Sequence, residues 1–255
     1  LVGLMFSCSH PQESEEPSFT LKEKNRINSF VSEYFFEIPR LDLTFKNYAN
    51  YEFGEYTING SVDSANLKQG YWKILNIKTN ILYQGHFVNN KKSEWWDIFL
   101  DNKLICCGKY ELNKKQGFWR YLRVGKETMK FINYQNDTLM GLAQEFTTDS
   151  ILISVGSFAK GLKDDYWKFY YTNGTLKEQG YFHDNLKSGW WQSYDKNGKL
   201  IEEASYSQDE ISGYVKRYIN GIISEEGKQF NGRNRGVWKF YDLGGKQNKI
   251  HEYEE

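Results

Sequence analysis

The sequence predicts an all-β protein, an elongated single-layer antiparallel β-meander of about eight 24-residue hairpin repeats, with a short N-terminal amphipathic helix. The first observation is the period, because sliding the chain by 24 residues brings Trp167 onto Trp191 and Gly174 onto Gly198. The second is that turn residues recur at constant offsets from the aromatic residues. The third is that no proline follows residue 39, so every later backbone N–H can donate to a strand ladder.

A tryptophan column runs through the repeats in steps of 23 or 24 residues. Its positions are Trp72, Trp96, Trp119, Ala143, Trp167, Trp191, Val215 and Trp238. A second aromatic column keeps the same steps and consists of Phe87, Tyr110, Tyr134, Phe158, Phe182, Tyr206 and Phe230. A glycine stands two residues before most of the tryptophan positions. Two columns with one period indicate a repeat, and we expect the tryptophans to form its self-stacking core. The alternative is that part of a column is exposed as a groove.

Each repeat is predicted to contain two strands joined by a tight turn. Asn173-Gly174 follows a run of aromatic and polar residues without helical periodicity, and Asn-Gly favours a type I′ hairpin. Asn197-Gly198 and Asn220-Gly221 occupy the equivalent turn, so Gly174, Gly198 and Gly221 are predicted structural glycines. Gly244-Gly245 and Asp101-Asn102 are weaker versions. Looser loops, such as residues 183–188 and 231–235, are expected to join one repeat to the next.

The rhythm G-x-W-x-x-Y-Y-x-x-N-G-x-L-x-x-x-G-x-Y, which begins at Asp165 and again at Gly189, resembles MORN-type repeats. It is most similar to the bacterial variant found in YwqK-family antitoxin components. The resemblance covers residues 69–255, the predicted repeat array. It implies a scaffolding, membrane-tethering or partner-binding protein that is not itself catalytic. The family label also implies an antitoxin-like protein.

The N-terminal residues suggest an envelope address. Residues 1–8 are apolar up to Ser7-Cys8, which resembles the lipobox of a bacterial lipoprotein with Cys8 as the lipidated residue. An ordinary signal peptide or a chance apolar terminus is the alternative. Residues 9–19 are polar and acidic, which is typical of a flexible tether. We therefore expect a cell-envelope lipoprotein that reaches the membrane through its lipid anchor only, with a cytoplasmic location as the alternative.

A helix is predicted over residues 20–39, since Thr20 and Glu23 form a capping box and Pro39 ends the apolar stripe. An exposed first strand needs a cover, so this helix is expected to cap the array. The alternative is a partner-binding helix. Residues 40–68 are expected to form divergent leading strands, with Asn59-Gly60 as one turn.

Few residues suggest chemistry. The four histidines lie far apart in the chain, and no phosphate loop, metalloprotease helix or nucleophile elbow is present. We therefore expect no enzyme, no metal and no cofactor. The formal net charge of zero gives no general attraction to nucleic acid, so no nucleic-acid partner is expected. Cys106 and Cys107 are adjacent and are expected to be ordinary free thiols, with a strained vicinal disulfide as the alternative.

Two function classes remain. The first is a non-catalytic repeat scaffold that binds a protein partner at the cell envelope, and the second is an intracellular antitoxin-like protein that neutralises a toxin by binding it. Tyr170, Tyr194 and Tyr218 are the predicted partner-binding residues, because they form a column on the face opposite to the tryptophans. An aromatic-rich sheet is also compatible with a carbohydrate, although no residue here singles out a sugar platform.

Overall fold

The computed structural model describes residues 47–123 and 128–254, and within them it contains β-strands and turns but no helix. Consecutive strands form antiparallel hairpins, which confirms the predicted all-β meander of repeats. The predicted tether, the helix over residues 20–39 and the lipidation site Cys8 lie outside the described residues.

The chain divides into two units at residues 138 and 139. The first unit contains eight of the described strands: β1 (Asn47–Phe53), β2 (Tyr56–Val62), β3 (Lys68–Asn76), β4 (Ile81–Val88), β5 (Lys91–Leu100), β6 (Lys103–Glu111), β7 (Lys114–Arg123) and β8 (Thr128–Gln135). The second unit contains β9 (Thr138–Thr147), β10 (Leu152–Ala159), β11 (Leu162–Tyr170), β12 (Leu176–His183), β13 (Leu186–Tyr194), β14 (Leu200–Ser207), β15 (Glu210–Ile219), β16 (Ile222–Phe230), β17 (Arg233–Tyr241) and β18 (Gln247–Tyr253). Within each unit, each strand pairs with the next one along the chain.

The turn of the first hairpin lies at a different place from the one predicted. β1 and β2 pair across a turn at residues 54 and 55, with Phe53 opposite Tyr56. Asn59 and Gly60 lie inside β2, so the prediction of a turn there is wrong. Gly60 lacks a side chain for a packing reason instead, because the indole of Trp72 covers its α-carbon.

The tightest turns also lie mainly at the other end of the repeat. Asp184 and Asn185 both have positive φ and connect paired residues His183 and Leu186 in a two-residue turn, where a looser loop was expected. Around Gly174, in contrast, Tyr171 and Thr175 close a longer turn in which only the glycine has positive φ. The turns at Gly198 and Gly245 follow this second pattern. The predicted type I′ geometry is therefore wrong at these three turns, whereas both central residues have positive φ at residues 101–102 and 220–221.

Each of the six tryptophans of the column lies flat on a glycine of the preceding strand. A Cβ built on Gly180 would stand 2.3 Å from Cδ2 of Trp191, and the same relation joins Gly156 to Trp167. The indole Nε1 of Trp191 donates a hydrogen bond to the carbonyl oxygen of Tyr181 at 3.0 Å. The missing side chain thus lets the indole approach the sheet closely enough to reach its backbone. The other pairs are Gly60 with Trp72, Gly85 with Trp96, Gly108 with Trp119 and Gly227 with Trp238.

The two aromatic columns interleave on one face and form the core. In the second unit, Phe182 meets Trp167 and Trp191 edge to face, with ring centroids 6.2 and 5.0 Å apart. The six tryptophans of the column are at most 3% exposed. The expectation of a self-stacking core is therefore confirmed for Trp72, Trp96, Trp119, Trp167, Trp191 and Trp238.

The prediction that Phe230 belongs to the second aromatic column is wrong. Phe230 is 54% exposed, and Gln229 occupies the buried position that Phe182 and Tyr206 hold in the earlier repeats. The step of the repeat shortens to 23 residues here, and a shift of one residue turns a strand side chain to the opposite face.

A lysine stands four residues before five of the six tryptophans of the column, and its side chain lies over the aromatic core. Lys187 Nζ lies 4.1 Å from the ring centroid of Trp191, and Lys163 Nζ lies 4.9 Å from that of Trp167. The backbone N–H of each lysine donates to a turn side chain of the next repeat, as Lys163 does to Asn185 at 2.6 Å. Lys68 and Lys115 repeat both contacts. Lys92 repeats the backbone hydrogen bond, and its Nζ lies 4.2 Å from the ring centroid of Tyr110. This cation–π ladder links neighbouring repeats.

Candidate functional site

The face of the second unit opposite to its tryptophan core is rich in tyrosine, and we call it the tyrosine face. Side chains alternate along a strand, so residues next to a core tryptophan point away from the core. Its tyrosine and tryptophan residues are Tyr166, Tyr170, Tyr181, Trp190, Tyr194, Tyr214, Tyr218 and Tyr241. It also carries a cross-strand row of polar residues that includes Gln179, Gln192, Glu203, Lys216, Glu226 and Lys239.

Three of these aromatic side chains are well exposed. Tyr166 is 36% exposed, Trp190 42% and Tyr181 51%. Tyr166 and Tyr181 are cross-strand partners whose rings meet edge to face at 4.9 Å. They therefore form an apolar patch on a sheet whose backbone hydrogen bonds are already made.

A backbone bulge presents these residues. Gly189 has a φ of +68° just before Trp190, and the register between β12 and β13 shifts at this point. Asp165 has the same conformation, with a φ of +66°, before Tyr166. The glycine of the G-x-W motif thus serves a bulge, in which only glycine avoids the steric cost of a positive φ. The bulge puts one aromatic side chain on each face in succession.

The three predicted binding residues lie together on this face but are only half-exposed. The Tyr194 hydroxyl donates to Oε1 of Gln192 at 3.1 Å, and the Tyr218 hydroxyl donates to Oε2 of Glu203 at 2.7 Å. Nε2 of Gln192 donates to the same Glu203 carboxylate at 2.8 Å. Tyr170 closes the column at the end of β11. This column is therefore a hydrogen-bonded support beside the exposed patch, and its hydroxyl groups at Tyr194 and Tyr218 are occupied.

Glu226 is the centre of a second polar cluster on the face. Its carboxylate accepts from the Tyr241 hydroxyl at 2.6 Å and lies 3.5 Å from Lys239 Nζ and 4.0 Å from Lys216 Nζ. Burial by itself would raise the pKa of Glu226, but the hydrogen bonds from Tyr241 and Tyr214 and the two lysines outweigh it and lower the pKa. Burial, together with Glu226, raises the pKa of Tyr214 to about 12. At neutral pH, the Glu226 cluster thus consists of uncharged tyrosine hydroxyl groups beside a carboxylate that two lysines neutralise.

The residues whose side chains could carry chemistry do not converge on one site. Within residues 47–123 and 128–254, no three His, Cys, Asp or Glu side chains are placed to share a metal ion. His183 is exposed and contacts Asp164 at 3.3 Å. No helix that could span a membrane occurs in the same ranges.

The two adjacent cysteines are both buried. Cys106 is free, and burial raises the pKa of its thiol to about 12, so the expectation of a free thiol is confirmed for Cys106. Because Cys106 is free, the two cysteines do not form the vicinal disulfide that was the alternative.

Comparison with known proteins identifies no family. No family model matches the chain, and no curated protein matches it. Among solved structures, the crystal structure of TarM is similar to 42% of this chain over 20% of its own, with 15% identity and a TM-score of 0.28. The crystal structure of TcdB2-TccC3-TEV is similar to 76% of this chain over 10% of its own, with 12% identity and a TM-score of 0.23. The chain thus spans a fifth or less of these structures' length.

Reasoning from sequence did not select the three residues of the exposed patch. Trp190 and Tyr166 stand at the middle position of G-x-W, which is apolar in every repeat, and that regularity was the available signal. Tyr181 follows the glycine under Trp191 and carried no comparable signal, because its exposure depends on where the neighbouring strands turn.

Proposed function

We propose that this chain is a non-catalytic repeat protein that binds a protein partner on its tyrosine face. The observation that carries the proposal is the exposed patch of Tyr166, Tyr181 and Trp190. Tyrosine and tryptophan are enriched among the residues that dominate protein–protein binding energy, because each buries a large area while few rotatable bonds are frozen.

The surroundings of the patch favour binding further. Gln179, Gln192 and Glu203 are joined by side-chain hydrogen bonds at 2.8 to 2.9 Å, so the polar groups beside the patch are held in one arrangement. A surface that is ordered before binding loses less conformational entropy when a partner docks. The tyrosine face is therefore suited to hold a partner without rearrangement.

We further propose that the protein acts at the bacterial cell envelope as a lipoprotein anchored through Cys8. The lipobox-like sequence before Cys8 and the acidic stretch after it support this address. The alternative, an intracellular antitoxin of the YwqK family, rests on the resemblance of the repeat to MORN-type sequences. In both alternatives, the sheet binds a protein partner.

The test compares partner capture by the wild-type chain and a Trp190→Ser/Tyr181→Ser variant. A partner is captured from extract of the source cells, identified by mass spectrometry, purified and titrated directly. Loss of two aromatic anchors of about 2 kcal/mol each should weaken binding by about three orders of magnitude. Both side chains are exposed, so the melting temperature should stay close to that of the wild type.

A matched control is Leu243→Ser. Leu243 is 82% exposed and lies in the turn between β17 and β18, so this change removes an exposed apolar side chain away from the patch. Its binding should equal that of the wild type. Unchanged affinity in the Trp190→Ser/Tyr181→Ser variant would show that the patch is not the interface. Capture of a polysaccharide in place of a protein would also overturn the proposal.

A further inference from the structure

A basic groove lies at the C-terminal end of the tyrosine face. It is lined by Tyr214 from β15, by Lys228 and Phe230 from β16, and by Arg233, Arg235 and Val237 from β17, together with Asn231 and Gly236. Lys228 is the cross-strand partner of both Tyr214 and Arg235, and Phe230 is the partner of Arg233. Three positive charges and two apolar side chains therefore lie side by side on adjoining strands.

Among residues 47–123 and 128–254, the three cations of the groove have no acidic partner. No ion pair or side-chain hydrogen bond joins Lys228, Arg233 or Arg235 to a carboxylate of these described residues, and the groove lining contains no Asp or Glu. By contrast, Lys216 and Lys239 of the same face share the carboxylate of Glu226, which also holds Tyr241. Glu252 lies on β18 as the partner of Val237, outside the lining.

The local excess of positive charge is not a property of the whole chain. The 33 basic and 33 acidic residues balance to a formal net charge of zero. A cluster of three unpaired cations in a neutral protein is therefore a local feature. Its electrostatic field attracts a negatively charged ligand to the groove.

The apolar lining restricts the kind of ligand. Phe230 is 54% exposed and Val237 is 52% exposed, and both adjoin the cations. An inorganic anion or a phosphate polymer gains little from contact with these side chains. A peptide that carries carboxylates around an apolar residue can bury the apolar side chain on Phe230 and Val237 while its carboxylates meet the guanidinium groups of Arg233 and Arg235.

We propose that this groove binds an acidic peptide segment of the protein partner, in which carboxylates flank an apolar side chain. This inference rests on the proposed function, since it assigns a second contact to the partner held on the tyrosine face. The exposed patch would supply apolar anchors, and the groove would select for acidic sequence and set the orientation of the partner.

The groove can be tested without the partner. The probe is a short fluorescent peptide in which aspartates flank a phenylalanine, and the readout is anisotropy during titration with the full chain. Wild-type protein should bind it, and added salt should weaken binding because the charges are exposed. A Lys228→Gln/Arg233→Gln/Arg235→Gln variant should bind at least about tenfold more weakly, since it loses charge-assisted hydrogen bonds.

The matched control removes the same charge elsewhere. Lys196→Gln/Lys199→Gln/Lys246→Gln changes three exposed lysines in turns on the second unit and should leave peptide binding unchanged. A peptide with Asn in place of Asp should not bind. Equal loss in the two triple variants, or equal binding of the Asn peptide, would overturn the inference, because attraction would then be nonspecific or not electrostatic.

A separate variant tests the contribution of the apolar side chains to peptide binding. Phe230→Ser changes a largely exposed side chain and should weaken peptide binding by several fold without changing the melting temperature. If polyphosphate binds as tightly as the peptide and Phe230→Ser affects neither ligand, the groove takes polyanions and not an acidic peptide.

The peptide-binding test of the groove and the partner-capture test of the exposed patch can fail independently. Tyr181 and Trp190 lie on β12 and β13, whereas the groove lies on β15 to β17. Absence of peptide binding by the wild-type chain refutes the groove as an acidic-peptide site even if the exposed patch captures a partner. Peptide binding with no effect of the Trp190→Ser/Tyr181→Ser variant on partner capture refutes the patch alone.

Discussion

Replacing Gly180 with alanine tests the packing of tryptophan on glycine that repeats through the chain. The added methyl carbon would lie 2.3 Å from Cδ2 and 2.5 Å from Cε2 and Cγ of Trp191. Carbon atoms in contact are normally about 3.5 Å apart, so the indole must move by about 1 Å. Trp191 is only 2% exposed, and neighbouring rings leave little space for that movement.

The cost follows from the contacts that such a movement disturbs. Trp191 Nε1 donates to the Tyr181 carbonyl oxygen at 3.0 Å, and its ring meets that of Phe182 at 5.0 Å. Overpacking of a core costs about 1 to 3 kcal/mol, and a weakened hydrogen bond adds about 1 kcal/mol. We expect Gly180→Ala to lower the free energy of unfolding by about 2 to 4 kcal/mol.

The same alanine should have the opposite effect once the indole is removed. The chain itself places Ala204 opposite Val215, where other repeats have glycine opposite tryptophan, and both residues are buried there. In a Trp191→Val background, Gly180→Ala should therefore stabilise by about 0.5 to 1 kcal/mol, because alanine loses less backbone entropy than glycine.

Urea denaturation followed by far-ultraviolet circular dichroism measures the four proteins of this cycle. Trp191→Val alone should be strongly destabilising, since it empties a buried site. The sign reversal is the decisive result. If Gly180→Ala destabilises equally in both backgrounds, the cost arises from the backbone of Gly180, and the account of indole packing is wrong.

Two other predictions concern acid stability and the membrane anchor. Glu226→Gln should lower the free energy of unfolding by about 1 to 2 kcal/mol at neutral pH, because Glu226 is a charged acceptor with a lowered pKa in the folded state. That contribution is present above the usual pKa of 4.5 and disappears as pH falls through the folded pKa, so the two stability curves should converge in acid; a constant gap would contradict it. Full-length protein produced in its source cells should partition into detergent, and its Cys8→Ser variant should not, because acyl chains supply the membrane affinity. Equal partitioning would exclude lipidation of Cys8.

The repeat could be read from sequence because it is a local pattern. The spacing of Trp167 and Trp191, the glycines near them and the absence of proline after residue 39 each determine hairpins and their period without knowledge of distant contacts. Alternation along a strand then places Tyr170, Tyr194 and Tyr218 opposite to the tryptophans. The fold class and the assignment of these tyrosines to a common face depended on nothing more.

Other features depended on contacts across strands. Gly180 lies under Trp191 because the pairing of β12 with β13 brings together residues eleven apart in the chain. The clash that excludes a side chain at Gly180 arises only once these strands are paired. The longer turn at Gly174 is set by hydrogen bonds between Tyr171 and Thr175, although Asn-Gly there suggested a type I′ turn.

The candidate site shows the same division. A bulge, or a repeat that is one residue shorter, reverses the face on which a side chain lies. Phe230 therefore lines the groove and is not part of the aromatic core. Residue types alone therefore determined the sheet and its tryptophan core. Only the tertiary structure decided which aromatics are exposed and which cations lack partners, because exposure and pairing depend on the register of neighbouring strands.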